Sequence, residues 1–223
     1  MATQRISGSE AVIKSLLEEG VDTIFGYPGG AIMPIYDALY DYDQQVTHYL
    51  TRHEQGAIHA AEGYAKVTGK VGVCFATSGP GATNLITGLA DAQIDSIPLV
   101  CITGQVASPL LGTDAFQESD VVGITIAEEI PEAIAKAFHI ALTGRPGPVL
   151  LDIAKDAQFA QFDFEYKKCT KIRSYLPEYP VDPFQVKAAA DIINAAKKPI
   201  VLFGHGVIIA HAEDELKEFI EKT

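Results

Sequence analysis

The chain holds 223 residues, 48% hydrophobic and 21% charged, enough apolar material for one large domain or for one domain plus part of a second. Seventeen Lys and Arg against 29 Asp and Glu leave a formal charge of −12, which argues against a nucleic-acid backbone or an anionic membrane as the main partner. No apolar run approaches the ~18 residues of a membrane span. The opening MATQRISGSEAV lacks the apolar core of a signal peptide, so a cytoplasmic location is expected. Three cysteines, Cys74, Cys101 and Cys169, are odd in number and far apart, which favours reduced thiols over a disulfide framework or a zinc module.

In chain order, SGSEAVIKSLLEEG predicts a helix with Ser7 as N-cap, Glu10 completing a capping box and Gly20 as the stop. The strand VDTIFGY, the turn PGG, a helix over 32–40, the strand VTHYLT and the helix EQGAIHAAEGYAKVTG follow. Next come the strand KVGVCFATS, the turn GPG, the helix ATNLITGLADAQID and the strand PLVCITG. A long polar connection leads to the helix PEAIAKAFHIALTG and the strand GPVLLDI. Near-continuous apolar strands alternating with helices imply an α/β domain, a doubly wound parallel sheet with helices on both faces. Its site is expected in the loops after the strands.

Periodicity is lost in residues 161–183, which are charged, aromatic and rich in proline, and this stretch reads as a linker. The first domain is thus expected over 1–160. Residues 184–223 then read as the start of a second α/β domain: helix PFQVKAAADIINAAKK, strand PIVLFG, a glycine turn and helix AEDELKEFIEK. One strand cannot make a sheet, so this unit is expected to be incomplete.

Three glycine-rich loops directly follow predicted strands: GYPGGA (26–31), SGPGA (78–82) and GHG (204–206). Glycine there lets backbone approach a ligand, and each loop precedes a helix N-terminus that could face an anion; simple tight turns explain each equally well. None matches G-x-G-x-x-G or the Walker pattern. Glu54, in TRHEQGA, stands where a buried strand meets a helix whose first turns carry Gly56, Ala57, Ala60, Ala61 and Gly63. Small residues there would let the helix lie close to a neighbour and desolvate the carboxyl, and desolvation favours the protonated form that proton exchange near neutral pH requires. The alternative is a first-turn acid compensating the helix dipole. The six histidines show no metal spacing, no HExxH or Cys-x-x-Cys occurs, and Ser78 lacks a G-x-S-x-G elbow, so no metal ligand and no serine nucleophile is assigned.

Together, FGYPGGAIMPIYDAL, HYLTRHEQGAIHAAEGYAKVTGKVGVCFATSGPGATNLITGLADAQIDSIPLVCITGQV, GTDAFQESDVVGIT and GRPGPVLLDIAKD resemble the catalytic large subunit of the acetohydroxyacid (acetolactate) synthases. That family belongs to the thiamine-diphosphate enzymes related to pyruvate oxidase, and the likeness runs over 21–158 with several motifs in order. It implies a transferase: pyruvate is decarboxylated on thiamine diphosphate and condensed with a second 2-keto acid. The products would be 2-acetolactate or 2-aceto-2-hydroxybutyrate, in branched-chain amino-acid synthesis. The first domain would be the pyrimidine-binding domain and the second the central, FAD-associated one. Glu54 aligns with the family's indispensable glutamate, which hydrogen-bonds the cofactor's aminopyrimidine.

Carried over by motif, Tyr27, Pro28, Gly29 and Gly30 would lie beside the cofactor, with Pro80 and Asn84 lining the pyrimidine pocket. Ala31, Val106, Phe116 and Lys155 would border the substrate, and Gln117 both substrate and cofactor. Arg145, Gly204 and Gly206 would contact FAD. The resemblance also implies Mg²⁺, a homodimer or homotetramer through the pyrimidine-binding domain, and a small regulatory subunit. The family's Gly-Asp-Gly motif for the diphosphate and Mg²⁺ is absent, so the expectation is a fragment that is inactive alone. Two further departures stand out. Around 125–128 the connection is shorter by on the order of ten residues, read as a loop omitted from the numbering. Ala107 stands where many members have Pro, which predicts weaker sulfonylurea inhibition. A non-catalytic assembly module is the competing reading from another class.

Overall fold

The computed structural model describes residues 4–113, 115, 117–118, 123–178 and 180–223. They fall into two compact units, Met1–Pro177 and Glu178–Thr223. The first is built on β1 (Gln4–Ser7), α1 (Gly8–Glu18), β2 (Thr23–Gly26), α2 (Met33–Tyr40), β3 (Thr47–Leu50), α3 (Glu54–Thr68) and β4 (Gly72–Ala76). It continues with α4 (Pro80–Thr83), α5 (Ile86–Asp95), β5 (Leu99–Gln105), β6 (Gly123–Ile124), α6 (Ile130–Leu142), β7 (Pro148–Ala154), α7 (Lys155–Phe159) and β8 (Gln161–Phe164).

Six strands form one sheet in the order β3-β2-β4-β5-β7-β6, and every neighbouring pair is parallel. Alternate residues of its central strands enter two different cores. Val73 and Phe75 of β4, with Val100 and Ile102 of β5, pack among Ile13, Leu16, Ile35, Ile134 and Phe138 of α1, α2 and α6. Cys74, Ala76, Leu99 and Cys101 pack with Ala57, Ile58, Ala61 and Ala92 of α3 and α5. A strand's side chains alternate between faces, so the two cores lie on opposite faces of one doubly wound sheet. All residues of β4 and β5 are buried, which is why both read as unbroken apolar runs.

Local chemistry sets the helix ends. Ser7 Oγ accepts from the Glu10 N–H at 3.1 Å, but the Glu10 carboxylate takes the Tyr42 hydroxyl at 2.9 Å instead of closing the capping box. Gly20 turns the chain at φ +80°. The close approach of α3 to the sheet comes from Gly72, where any side chain would strike the Ala61 carbonyl. Gly56 and Gly63, expected to serve that purpose, face open space.

Three further departures have physical causes. Gln161–Phe164, read as the start of a linker, is a strand paired antiparallel with β1, Gln4 opposite Phe164 and Ser7 opposite Gln161. The helix expected over ATNLITGLADAQID breaks into α4 and α5, with Leu85 fully buried at the junction. Residues 199–204 form no strand, because no neighbour among the described residues of that unit offers a ladder. Residues 125–128 lead into a 3₁₀ turn at Ala127–Glu129, closed by the Glu129 N–H on the Ile126 carbonyl at 3.1 Å.

The second unit carries α8 (Pro183–Ala195), α9 (Gly206–Ile209) and α10 (Glu213–Lys222). Asp182 caps α8 by accepting from the Phe184 N–H at 2.9 Å. No helix among the described residues is long and apolar enough to cross a membrane.

Candidate functional site

Because all six strands of the sheet run parallel, the loops after β2, β3, β4, β5 and β7 gather at its carboxyl end. Glu54 is the first residue of α3, whose N-cap His53 accepts the Gln55 N–H on Nδ1 at 3.1 Å. Its side chain is buried, the residue being 7% exposed. Oε2 accepts from Asn84 Nδ2 at 2.9 Å, and Oε1 lies 3.3 Å from where a Cβ on Gly81 would stand. The glycine at 81 therefore gives the carboxylate room beside the SGPG loop. Thr51, just upstream, ties this corner to β2 by donating from its N–H (3.0 Å) and hydroxyl (3.2 Å) to the Gly26 carbonyl.

The loop at 26–31 lies against the SGPG loop, with Tyr27 39% exposed and its N–H bonded to the Phe75 carbonyl at 3.3 Å. Gly29 abuts Thr77, whose Cβ and Oγ1 would lie 2.5 and 2.8 Å from an added side chain. Ala31 is held at both ends of its peptide. Its N–H donates to Thr77 Oγ1 at 3.2 Å and its carbonyl accepts from Gln158 Nε2 at 2.9 Å.

Beyond β5 the mouth of the site is built on a buried carboxylate. Asp152, 2% exposed, accepts from Thr103 Oγ1 at 2.6 Å and Gln105 Nε2 at 2.8 Å, while Gln105 Oε1 accepts the Val106 N–H at 2.9 Å. Burial pushes the Asp152 carboxyl above its ordinary value, against the opposing pull of the Thr103 and Gln105 bonds. The Val106 carbonyl accepts the Lys155 N–H at 3.4 Å, and Asp156 takes both the N–H (2.9 Å) and hydroxyl (3.0 Å) of Ser108. For Asp156, burial works upward, but the Ser108 donors outweigh it and hold the carboxyl below its ordinary range.

The structure thus gathers residues 27–31, Glu54, Pro80, Asn84, Val106 and Lys155 at one end of the sheet. Gln117 joins them: at φ +59°, its carbonyl oxygen stands 2.6 Å from the Cβ position of Gly79, itself at φ +58°. Phe116 lies outside the described residues. Arg145 is at the opposite end, before β7, where it donates to Ser96 Oγ (2.8 Å) and to the carbonyls of Gln93 (3.1 Å) and Ile94 (2.9 Å), closing the end of α5. Gly204 and Gly206 belong to the second unit, at the start of α9.

Thr77, Gly104, Gln158, Gln105 and Asp152 escaped the sequence reading. For Thr77, Gly104 and Gln105 the one local sign was their place at or just beyond the ends of apolar strands; Asp152, inside β7, and Gln158, in α7, carried none. Also unforeseen, His59, Glu62 and Asp91 bring one ligand atom each within 4.8 Å of one another. Lys66 Nζ occupies that corner, 2.9 Å from both Glu62 and Asp95, making it an ion-pair network between α3 and α5.

Residues 6–124 match the family model of the thiamine pyrophosphate enzyme N-terminal TPP binding domain, and residues 186–223 that of the thiamine pyrophosphate enzyme central domain. The first match covers more than half of the chain, which belongs to the thiamine pyrophosphate enzymes. It is 52% identical over 233 residues to the acetolactate synthase large subunit of Corynebacterium glutamicum, an alignment covering 100% of this chain and 37% of that protein. Against the acetolactate synthase of Mycobacterium bovis it is 53% identical, covering 100% of this chain and 38% of the relative. Against the acetolactate synthase isozyme 2 large subunit of Escherichia coli it is 52% identical, covering 98% and 41%. The chain therefore spans about two fifths of the length of these relatives.

A buried carboxylate held by a carboxamide, beside loops kept open by glycine, fits an aminopyrimidine, which presents ring nitrogens and an exocyclic amine to such groups.

Proposed function

We propose that this chain is the pyrimidine-binding part of an acetolactate synthase large subunit. The protein it serves decarboxylates pyruvate and joins the product to a second 2-keto acid, giving 2-acetolactate or 2-aceto-2-hydroxybutyrate for branched-chain amino acids. The observation that carries this is Glu54, buried at the start of α3 and held by Asn84 at the carboxyl end of the sheet. The names of relatives about half identical over the whole chain support it.

Thiamine diphosphate, when bound, supplies the electron sink for the carbanion left by decarboxylation. Glu54 would hold a proton against a ring nitrogen of the pyrimidine, and Asn84 keeps its carboxylate turned toward the loops. Residues 27–30 and Pro80 would wall the cofactor, and Gln117 would reach both cofactor and substrate. Ala31, Val106, Phe116 and Lys155 would border the keto acid. We assign Mg²⁺ ligation to parts of the protein outside this chain. FAD would be a structural cofactor contacted by Arg145, Gly204 and Gly206. A homodimer or homotetramer through the first domain, a small regulatory subunit and a cytoplasmic location complete the reading.

The test is the full-length protein with thiamine diphosphate, Mg²⁺, FAD and pyruvate, beside its Glu54→Gln variant. Acetolactate that falls by about 10²-fold or more in the variant is the expected result. Acetaldehyde or acetate instead would move the protein to a sister enzyme.

A further inference from the structure

The Ala31 peptide, at the carboxyl end of the sheet, is held at both ends by side chains. Its N–H donates to Thr77 Oγ1 at 3.2 Å, and its carbonyl accepts from Gln158 Nε2 at 2.9 Å. The two side chains come from different parts of the fold, 46 and 127 positions along the chain. Both are buried, Thr77 at 8% and Gln158 at 0% exposure. Gly104 of β5 completes the cradle: a Cβ there would fall 2.5 Å from the Ala31 carbonyl carbon and 2.6 Å from the Ile32 nitrogen.

Each of the two side chains also does a second thing. Gln158 Nε2 donates to the Ile153 carbonyl at 2.8 Å, so both amide protons are used on carbonyls and the amide can turn only one way. Gln158 Oε1 is then left buried with no partner among the described residues. The Thr77 methyl faces both loops: Cγ2 would lie 2.6 Å from a Cβ on Gly29 and 2.7 Å from one on Gly81, the glycine that gives Glu54 its room. One threonine thus meets the loop at 26–31 with its hydroxyl and methyl, and the SGPG loop with its methyl.

We propose that Thr77 and Gln158 are positioning residues that clamp the Ala31 peptide and so set the distance between the substrate-side loop and Glu54. The proposal rests on the reading of this end of the sheet as the keto-acid site. Neither residue touches substrate or cofactor; both act through Ala31 and, for Thr77, through the packing at Gly81.

Two measurements test it. In the 223-residue chain, amide hydrogen exchange over residues 27–32 is compared for the unsubstituted protein, Thr77→Val, Thr77→Ser and Gln158→Leu, with circular dichroism to verify that each folds. Thr77→Val keeps shape and loses the acceptor, so exchange at Ala31 is expected to rise by about tenfold; Thr77→Ser keeps the acceptor and stays within about twofold. In the full-length protein, Thr77→Val and Gln158→Leu are expected to raise KM for pyruvate by about fivefold or more with a smaller change in kcat, and Thr77→Ser to restore KM. Equal exchange in Thr77→Val and the unsubstituted chain would overturn the clamp, as would Thr77→Ser exchanging as fast as Thr77→Val. Failure of the full-length protein to make acetolactate would instead remove the functional reading, leaving the exchange result to decide the clamp.

Discussion

Asn84 and Glu54, 30 positions apart in the chain, are joined by a 2.9 Å bond from the Asn84 amide to Glu54 Oε2. The bond fastens the helix that carries the acid to the helical turn after the SGPG loop, so the carboxylate is aimed by a group from another strand's loop. Asn84→Ala leaves a buried acid without that donor, and the expected loss is about 1–3 kcal/mol of unfolding free energy. Urea denaturation of the chain followed by far-ultraviolet circular dichroism measures it; an unchanged midpoint would show that the bond does not hold Glu54.

At Gly104 the obstacle is backbone, with the Ala31 carbonyl carbon 2.5 Å and the Ile32 nitrogen 2.6 Å from a Cβ. Backbone held at both ends cannot give way as a flexible side chain can. Gly104→Ala is expected to cost about 3 kcal/mol or more. Gly30→Ala, where nothing lies within 4 Å of the new methyl, is the control and should change stability little.

Burial raises the Asp152 carboxyl above its ordinary value, and the bonds from Thr103 and Gln105 only partly counter it. The folded state therefore holds this proton more tightly than the unfolded chain. Its contribution to stability is fullest below the ordinary carboxylate range and falls as pH rises through and above it. Asp152→Asn should flatten that part of the pH–stability curve. In the same variant the Asn oxygen faces Gln105 Nε2 and its amide N–H faces the Thr103 hydroxyl, which accepts, so Gln105 is expected to keep its bond to the Val106 N–H. Urea midpoints of both proteins between pH 4 and pH 7, at values set about one unit apart, decide the first point. Hydrogen exchange at Val106 decides the second.

Asp22 presents the opposite sign. The Lys70 ammonium at 2.5 Å, with help from the Tyr64 and Thr23 hydroxyls, holds its carboxyl down to about 2. The stabilisation is present above the ordinary carboxylate range and is lost as pH falls toward 2. Both side chains are half exposed, so salt should erode it. A carboxyl titration by NMR is expected to find Asp22 near 2 at low ionic strength and to find it raised in Lys70→Met.

The Asp156 carboxylate anchors Ser108 by two bonds at the mouth of the site. Asp156→Ala should speed amide exchange over 107–110 by about fivefold or more while leaving the sheet's slow amides unchanged. Uniform acceleration would mean that the residue supports the whole fold.

What the sequence disclosed follows from how local each cause is. The strands β4 and β5 are legible because both faces are buried and their residues form apolar runs. The strand β8 is not, because four residues in a polar, aromatic setting become a strand only through β1. Residues 199–204 show the converse: a sequence apt for a strand forms none where no neighbour supplies hydrogen bonds. Within the site, Glu54 and Asn84 could be picked out by motif. Thr77, Gln158 and Asp152 matter through partners about 46–127 positions away, a pairing that one sequence does not display. The same limit misled the reading of Gly56 and Gly63, since which face of a helix meets the sheet is decided by the sheet.

The ribbon of β1 and β8 has a consequence for how the molecule is born. Gln4–Ser7 leaves the ribosome early, yet the residues it pairs with, Gln161–Phe164, follow more than 150 positions later. Until they emerge, β1 has no strand to pair with among the described residues. Closing so long a loop adds little further entropy for each added residue, but it must come last. The ribbon is thus a clasp that ties the stretch before the parallel sheet to the stretch after it.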